Sequence, residues 1–287
     1  MPELPEVEAL ARFLAERTVG RVVASVTVGT ISALKTYAPA PAELAGRTVT
    51  GVTRHGKWLD LATQHGPHLL AHLSLAGWLR WYDVAPATPV RPWKSPIALR
   101  VVLDDGAGFD LTEAGTRKRL AVHIVTDPAE VELVASLGVD QLSDAFTVER
   151  LSALAAARNQ QVEGLLRDQR QVAGIGNAYF DEILHAAVMS PFTLTRSLTA
   201  GDVARLHGVI GEILSHALAV ADGRPATELK DTKRRGMQVH GRAGQVCQVC
   251  GDLVREVSFA DSALQSCPTC QTGGRSLADR RMSRLLR

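Results

Sequence analysis

The stretch that decides the fold is 246–271, VCQVCGDLVREVSFADSALQSCPTCQ. Its four cysteines, Cys247, Cys250, Cys267 and Cys270, are the only ones in the chain. They stand as C-x2-C, sixteen residues, then C-x2-C. A two-residue gap lets each pair hold one tetrahedral ion from a tight turn, so the spacing reads as a zinc ribbon. Four thiolates favour zinc first and iron second. Four closed ligands leave no open coordination position, so the expected cofactor is one structural zinc. Two disulfides would be the reading in a secreted chain. The opening MPELPEVEAL has neither a basic n-region nor an apolar h-region, so no secretory leader is expected.

Working outward from the ribbon, the tail 272–287 carries Arg275, Arg280, Arg281, Arg284 and Arg287. Residues 228–287 hold 11 basic and 6 acidic side chains, against 21 and 24 in 1–227. The whole chain is only +2, so its basic end is where an anionic polymer would sit, or else a solvated surface. Upstream, 223–238 is basic with Gly and Pro and reads as an exposed loop. Segments 147–158, 160–169, 177–187 and 199–222 show helical periodicity. The last begins at Thr199 with Asp202 three residues on, an approximate capping box, and stops before Gly223.

Between 21 and 126 the apolar period falls to two. Runs at 22–28, 48–53, 58–62, 69–75, 78–81, 98–103 and 121–125 are separated by turn signals such as Gly66-Pro67 and Asp104-Asp105-Gly106. Many short strands at this spacing predict a sandwich or barrel. Ahead of them, 3–17 reads as a helix: Val7, Leu10 and Leu14 share a face, and Glu3, Glu6 and Glu8 suit its positive N-terminal end. The expected class is therefore α+β. An N-terminal helix and strand-rich domain (1–128) lead into a helical domain (129–238), a zinc ribbon (239–271) and a basic tail (272–287). The 287 residues suffice for about two ordinary domains, and no apolar run approaches the roughly 18 residues of a membrane helix.

Three short motifs carry chemistry. Pro2 stands second in the chain; once Met1 is removed, its secondary amine would begin a helix. An α-amino group titrates near ~8, so a useful fraction is neutral, and a nearby helix dipole lowers it further. Such an amine attacking a sugar C1′ gives an iminium, an electron sink that eases proton loss from C2′. Glu3 beside it is a candidate general acid/base. On these residues alone, Pro2 reads first as an ordinary helix-start residue. Gly174-Ile175-Gly176-Asn177 precedes a helix, where glycines and first-turn amides accept a phosphate or simply make an inter-helix turn. His55-Gly56-Lys57 lies between two strands, and Lys57 is a phosphate-pairing point charge or an ordinary hairpin lysine.

Taken together these motifs resemble one family. MPELPEVE, His55-Gly56-Lys57-Trp58-Leu59, GIGNAYFDEIL (174–184), Val239-His240-Gly241-Arg242 and the terminal four-cysteine ribbon stand in the order of bacterial formamidopyrimidine-DNA glycosylases and endonuclease VIII proteins. The resemblance spans almost the whole chain. It implies an N-terminal β-sandwich, a helix–two-turns–helix domain and a zinc ribbon. It implies Pro2 as Schiff-base nucleophile, Glu3 as proton donor, Lys57 as phosphate contact, and Gly176 and Asn177 as backbone contacts. It further implies excision of oxidised, flipped-out bases from double-stranded DNA, β,δ-elimination at the abasic site, and a monomer in the bacterial cytoplasm at the nucleoid, with no membrane partner.

Two positions depart from the pattern. Five residues before the third ribbon cysteine the family carries a phosphate-gripping arginine; here stands Ser262, so Arg255, Arg275, or Lys233, Arg234 and Arg235 are the candidate replacements. The purine-type members fill the vacated stack with Met and an Arg–x–Phe pair. Here the first position is Leu75, the candidate wedge, and 112–119 holds no aromatic. A rival reading follows: a non-catalytic or lyase-only binder of abasic or damaged DNA.

Overall fold

The computed structural model describes residues 1–91, 95–114, 118–258, 263–275 and 277. It divides into two compact units, Met1–Leu137 with Val220–Lys230, and Gly138–Ala219 with Asp231–Arg287.

The first unit opens with helix α1 (Leu4–Thr18), where Pro5 occupies the first turn that tolerates it. Leu4, Val7, Leu10 and Leu14 recur at helical spacing and are all at most 2% exposed. Eight strands follow: β1 (Val23–Val28), β2 (Val49–His55), β3 (Trp58–Thr63), β4 (His68–His72), β5 (Gly77–Tyr82), β6 (Ile97–Leu103), β7 (Gly108–Glu113) and β8 (Ala121–Val125). They form two antiparallel four-stranded sheets, β1-β6-β7-β5 and β2-β3-β4-β8, the expected sandwich. Leu59, Leu61, Leu69 and Ile124 of one sheet, and Leu79, Leu99, Phe109 and Leu111 of the other, are buried. The short helix α2 (Glu132–Ala135) follows Val131, which packs with Trp58, Leu70 and Val125.

One expectation shifts here. The apolar alternation runs on to Leu75, but the strand stops at His72 because Ser74 turns into the left-handed region (φ +53°). Gly77 then closes the loop by donating its N–H to the Leu73 carbonyl at 2.8 Å, and a Cβ at Gly77 would collide with that same carbonyl oxygen.

The returning segment is pinned to this unit at three points. The Trp78 indole N–H donates to the Ala226 carbonyl at 2.8 Å, Lys230 Nζ stands 4.6 Å from the Trp78 ring, and Arg12 pairs with Asp222 at 2.9 Å.

The second unit comprises β9 (Val139–Asp140), α3 (Val148–Ala157), α4 (Val162–Arg167), β10 (Val172–Ala173), α5 (Asn177–Ala186) and all but the last two residues of α6 (Ala200–Ala221). Next come α7 (Leu229–Gly236), which enters this unit at Asp231, and then β11 (Arg255–Ser258), β12 (Ala263–Ser266) and α8 (Pro268–Thr272). The capping box at α6 is real: Thr199 Oγ accepts the Asp202 N–H at 3.1 Å, and the Asp202 carboxylate accepts the Thr199 N–H at 3.0 Å. Among the described helices, α6 has the length and hydropathy of a membrane span. Its Val203, Leu206, Ile210 and Leu214 pack into the helical core with Ile183, Leu184 and Leu165.

The expected exposed loop at 223–238 is not one throughout. Residues 229–236 form α7, and Ala226, Leu229, Thr232 and Met237 are buried. These four lie three to five residues apart, a stripe too sparse to stand out against the surrounding basic side chains.

Candidate active site and zinc-finger centre

Pro2 and Glu3 are both buried at the start of α1, and Glu3 is only 1% exposed. Glu3 donates its backbone N–H to Glu6 Oε2 at 2.8 Å, which fixes the entry of the chain into the helix. Two buried carboxylates, Glu3 and Glu6, thus close a reciprocal capping box at the positive end of the helix dipole.

Lys57 occupies the two-residue turn between β2 and β3, set by the pairing of His55 with Trp58. Gly56 makes that turn possible at φ +56°. Its frame was not legible in the sequence. Arg54, with a side chain 5% exposed, pairs with Glu8 of α1 at 2.8 Å and donates to the Gly56 carbonyl at 3.0 Å. Glu8 also holds Arg12 at 3.0 Å. Next to them the buried Asp60 carboxylate bridges His55 Nε2 at 3.0 Å and His68 Nδ1 at 2.8 Å. His72 lies opposite Trp58, and burial together with the Lys57 charge holds its imidazole down at about 4. Leu75 stands 58% exposed on the loop between β4 and β5.

In the second unit, Gly176 caps α5 and Asn177 is its first residue. The preceding turn is stapled by Gln169, whose amide donates to the Ile175 carbonyl at 2.8 Å and accepts the Gly174 N–H at 2.9 Å. Lys233 of α7 stands 4.4 Å from the ring of Tyr179, in the first turn of α5. Farther along α5, the Glu182 carboxylate accepts the N–H groups of Gln238, Val239 and His240 at 2.8 to 2.9 Å. Asp181 is 1% exposed and pairs with His240 Nδ1 at 2.7 Å. Burial pushes its carboxyl up to about 7, against the pull of His240, and its Oδ1 has no hydrogen-bond partner among the described residues.

The ribbon follows. None of the four cysteines is joined in a disulfide. Cys247 Sγ lies 3.9 Å from Cys270 Sγ, and Cys250 Sγ lies 3.3 Å from Cys267 Sγ. A tetrahedral ion with bonds of about 2.3 Å to sulfur needs separations near ~3.8 Å, so the group fits one zinc. A fifth donor was missed by the sequence reading: His185, in the last turn of α5, whose ring joins Cys247, Cys267 and Cys270 within 4.8 Å. Spacing along the chain has no means of announcing a residue 62 positions upstream. Arg255 opens β11 and Arg275 follows α8, both exposed. Ser262, Arg280, Arg281, Arg284 and Arg287, and residues 115–117 of the 112–119 region, lie outside the described residues.

Comparison with known proteins agrees with this architecture. The formamidopyrimidine-DNA glycosylase N-terminal domain matches residues 1–122, the formamidopyrimidine-DNA glycosylase H2TH domain matches 137–228, and a zinc finger found in FPG and IleRS matches 244–273. The formamidopyrimidine-DNA glycosylase of Symbiobacterium thermophilum is 36% identical, with 94% of this chain and 89% of the relative covered. The crystal structure of the MutM (Fpg) protein from Thermus thermophilus superposes with a TM-score of 0.80 at 30% identity, over 96% of this chain and 100% of that one. Lactococcus lactis Fpg in complex with DNA containing an abasic site gives 0.82 at 25% identity, over 94% and 99%. A β-sandwich joined to a helical unit and a zinc finger, with these relatives, defines the class as a DNA repair glycosylase. Within that class, the chain belongs to the formamidopyrimidine-DNA glycosylase family.

Proposed function

We propose that this enzyme excises damaged bases from double-stranded DNA and then cleaves the abasic site, using the amine of Pro2 as nucleophile. The observation that carries the reading is the burial of Pro2 and Glu3 together at the N-terminus of α1, with Arg54 linking that helix to the Lys57 turn. The Lactococcus lactis relative bound to abasic-site DNA supports DNA as the partner.

In this mechanism Glu3 protonates the departing base while the Pro2 nitrogen bonds to C1′. The ring opens as the Pro2 N–H proton passes to O4′, leaving an iminium at C1′, and a proton lost from C2′ sends its electron pair towards that iminium. The C3′–O bond then breaks with the 3′ phosphate as leaving group. Loss of the C4′ proton drives a second elimination that breaks the C5′–O bond and releases the 5′ phosphate, and water hydrolyses the imine to return the Pro2 amine. Lys57, the first-turn amides of α5 at Gly176 and Asn177, and Arg255 and Arg275 supply the phosphate contacts. Leu75 fills the gap left by the extruded base. Cys247, Cys250, Cys267 and Cys270 would hold the structural zinc, which would brace the ribbon and supply no chemistry to the reaction.

Borohydride trapping on an abasic duplex tests the nucleophile. A covalent adduct mapping to Pro2 in protein lacking Met1, and lost in Pro2→Gly with DNA binding retained, is the expected result. Binding without any adduct would establish the rival binder, and an adduct on a lysine would move the nucleophile.

A further inference from the structure

Three buried polar residues, Asp181, Glu182 and His185, occupy one face of α5, because positions i, i+1 and i+4 of a helix lie close together. The first two meet the segment 238–240 that leads into the ribbon. The third meets the ribbon itself: His185 Nε2 lies 3.4 Å from Cys247 Sγ. His185 is 6% exposed and Cys247 1%, so solvent does not satisfy either group.

Five donors therefore converge on a centre that takes four. His185, Cys247, Cys267 and Cys270 bring one donor atom each within 4.8 Å, and Cys250 Sγ lies 3.3 Å from Cys267 Sγ. The paired C-x2-C spacing and the match of 244–273 to a zinc finger give the four places to the sulfurs, and the imidazole touches one of them. A second link reinforces the arrangement at the far end of α5. Gln271 of α8 donates to the Met189 carbonyl at 3.0 Å and accepts the Cys267 N–H at 2.9 Å.

We propose that His185 is a positioning residue of the zinc centre, donating an Nε2–H···S hydrogen bond to the metal-bound Cys247 thiolate from outside the ribbon. Four thiolates around a divalent ion leave a net charge of −2, and a buried N–H donor offsets part of it. The bond fixes the imidazole as the Nε2–H tautomer and orients the Cys247 sulfur. Partners of this kind typically change metal affinity by about 10–100-fold. It also makes α5 part of the metal site, so the ribbon is held to the helical unit through a ligand and not by surface packing alone.

The test uses the full chain with cobalt(II) in place of zinc, and zinc transfer to a competing chelator. The wild type, His185→Phe and His185→Gln should all show the ligand field of four sulfurs. His185→Phe, which keeps a ring but has no donor, should surrender zinc about 10–100-fold more readily. His185→Gln keeps an N–H and should recover much of that loss. If the phenylalanine ring disturbs folding, as judged by helical circular dichroism of the zinc-saturated protein, His185→Met replaces it, with the length of glutamine and no donor. A three-sulfur, one-nitrogen spectrum for the wild type, unchanged in Cys250→Ser, would make His185 a ligand and overturn the proposal. Wild-type zinc retention in the donor-less variant would overturn it too.

Discussion

Arg54 Nε lies 2.8 Å from Glu8 Oε2 while another nitrogen of the same guanidinium donates to the Gly56 carbonyl at 3.0 Å. One planar group thus fixes the distance between the helix that starts near Pro2 and the turn that carries Lys57. Removing Arg54 takes from Glu8 its buried partner and leaves it only the more exposed Arg12. Arg54→Ala is expected to lower stability by about 1–2 kcal/mol, less than the loss of a sole buried partner, and to reduce borohydride adduct formation at saturating DNA. Arg54→Lys, which cannot span both acceptors, should fall between. Unchanged trapping in a folded Arg54→Ala protein would show that the turn needs no such brace.

His72 sets a pH dependence with a definite sign. Its folded value of about 4 lies below the ordinary 6.5. Between these values the unfolded chain binds a proton that the folded chain refuses, so stability is full above about pH 6.5 and is lost as pH falls towards 4. The contribution is up to about 3 kcal/mol. His72→Gln should flatten the acid limb of the stability curve in chemical denaturation across this window. A variant curve parallel to the wild type would remove His72 as the cause.

Leu75 separates folding from function. At 58% exposure its truncation should cost the fold less than about 0.5 kcal/mol. Leu75→Ala is nevertheless expected to slow base excision from duplex DNA several-fold, with cleavage of an abasic single strand unchanged. Parallel losses on both substrates would contradict a wedge.

Val188 offers a test in the opposite direction. A β-branched residue at φ +52° is strained, and this one is 62% exposed just past α5, where its N–H donates to the His185 carbonyl. Val188→Gly should raise stability by roughly 0.5–1 kcal/mol, seen as a higher melting temperature. A lower one would mean that Val188 packing outweighs its backbone strain.

What the sequence made legible was whatever repeats or recurs locally. Cys247, Cys250, Cys267 and Cys270 announce themselves by spacing, α6 by Thr199 and Asp202, and α1 by the stripe from Val7 to Leu14. Arg54 meets Glu8 across 46 positions, Asp181 meets His240 across 59, and His185 meets Cys247 across 62. Such partners are chosen by the packing of distant elements, and no local period encodes them. The strand expected through Leu75 failed for a related reason: apolarity there reports an exposed loop tip, not a buried face.

The excursion of Val220–Lys230 bears on autonomy. The polypeptide passes from one unit to the other three times, at 137–138, 219–220 and 230–231. A fragment stopped at residue 137 would strip Trp78, 9% exposed in the intact chain, of both the carbonyl that takes its indole proton and the lysine above its ring. The excised helical piece would in turn carry eleven residues folded for a neighbour it had lost. The two halves are therefore interleaved in their covalent order, and recombination that swaps one intact half for another has to exchange two separate stretches at once.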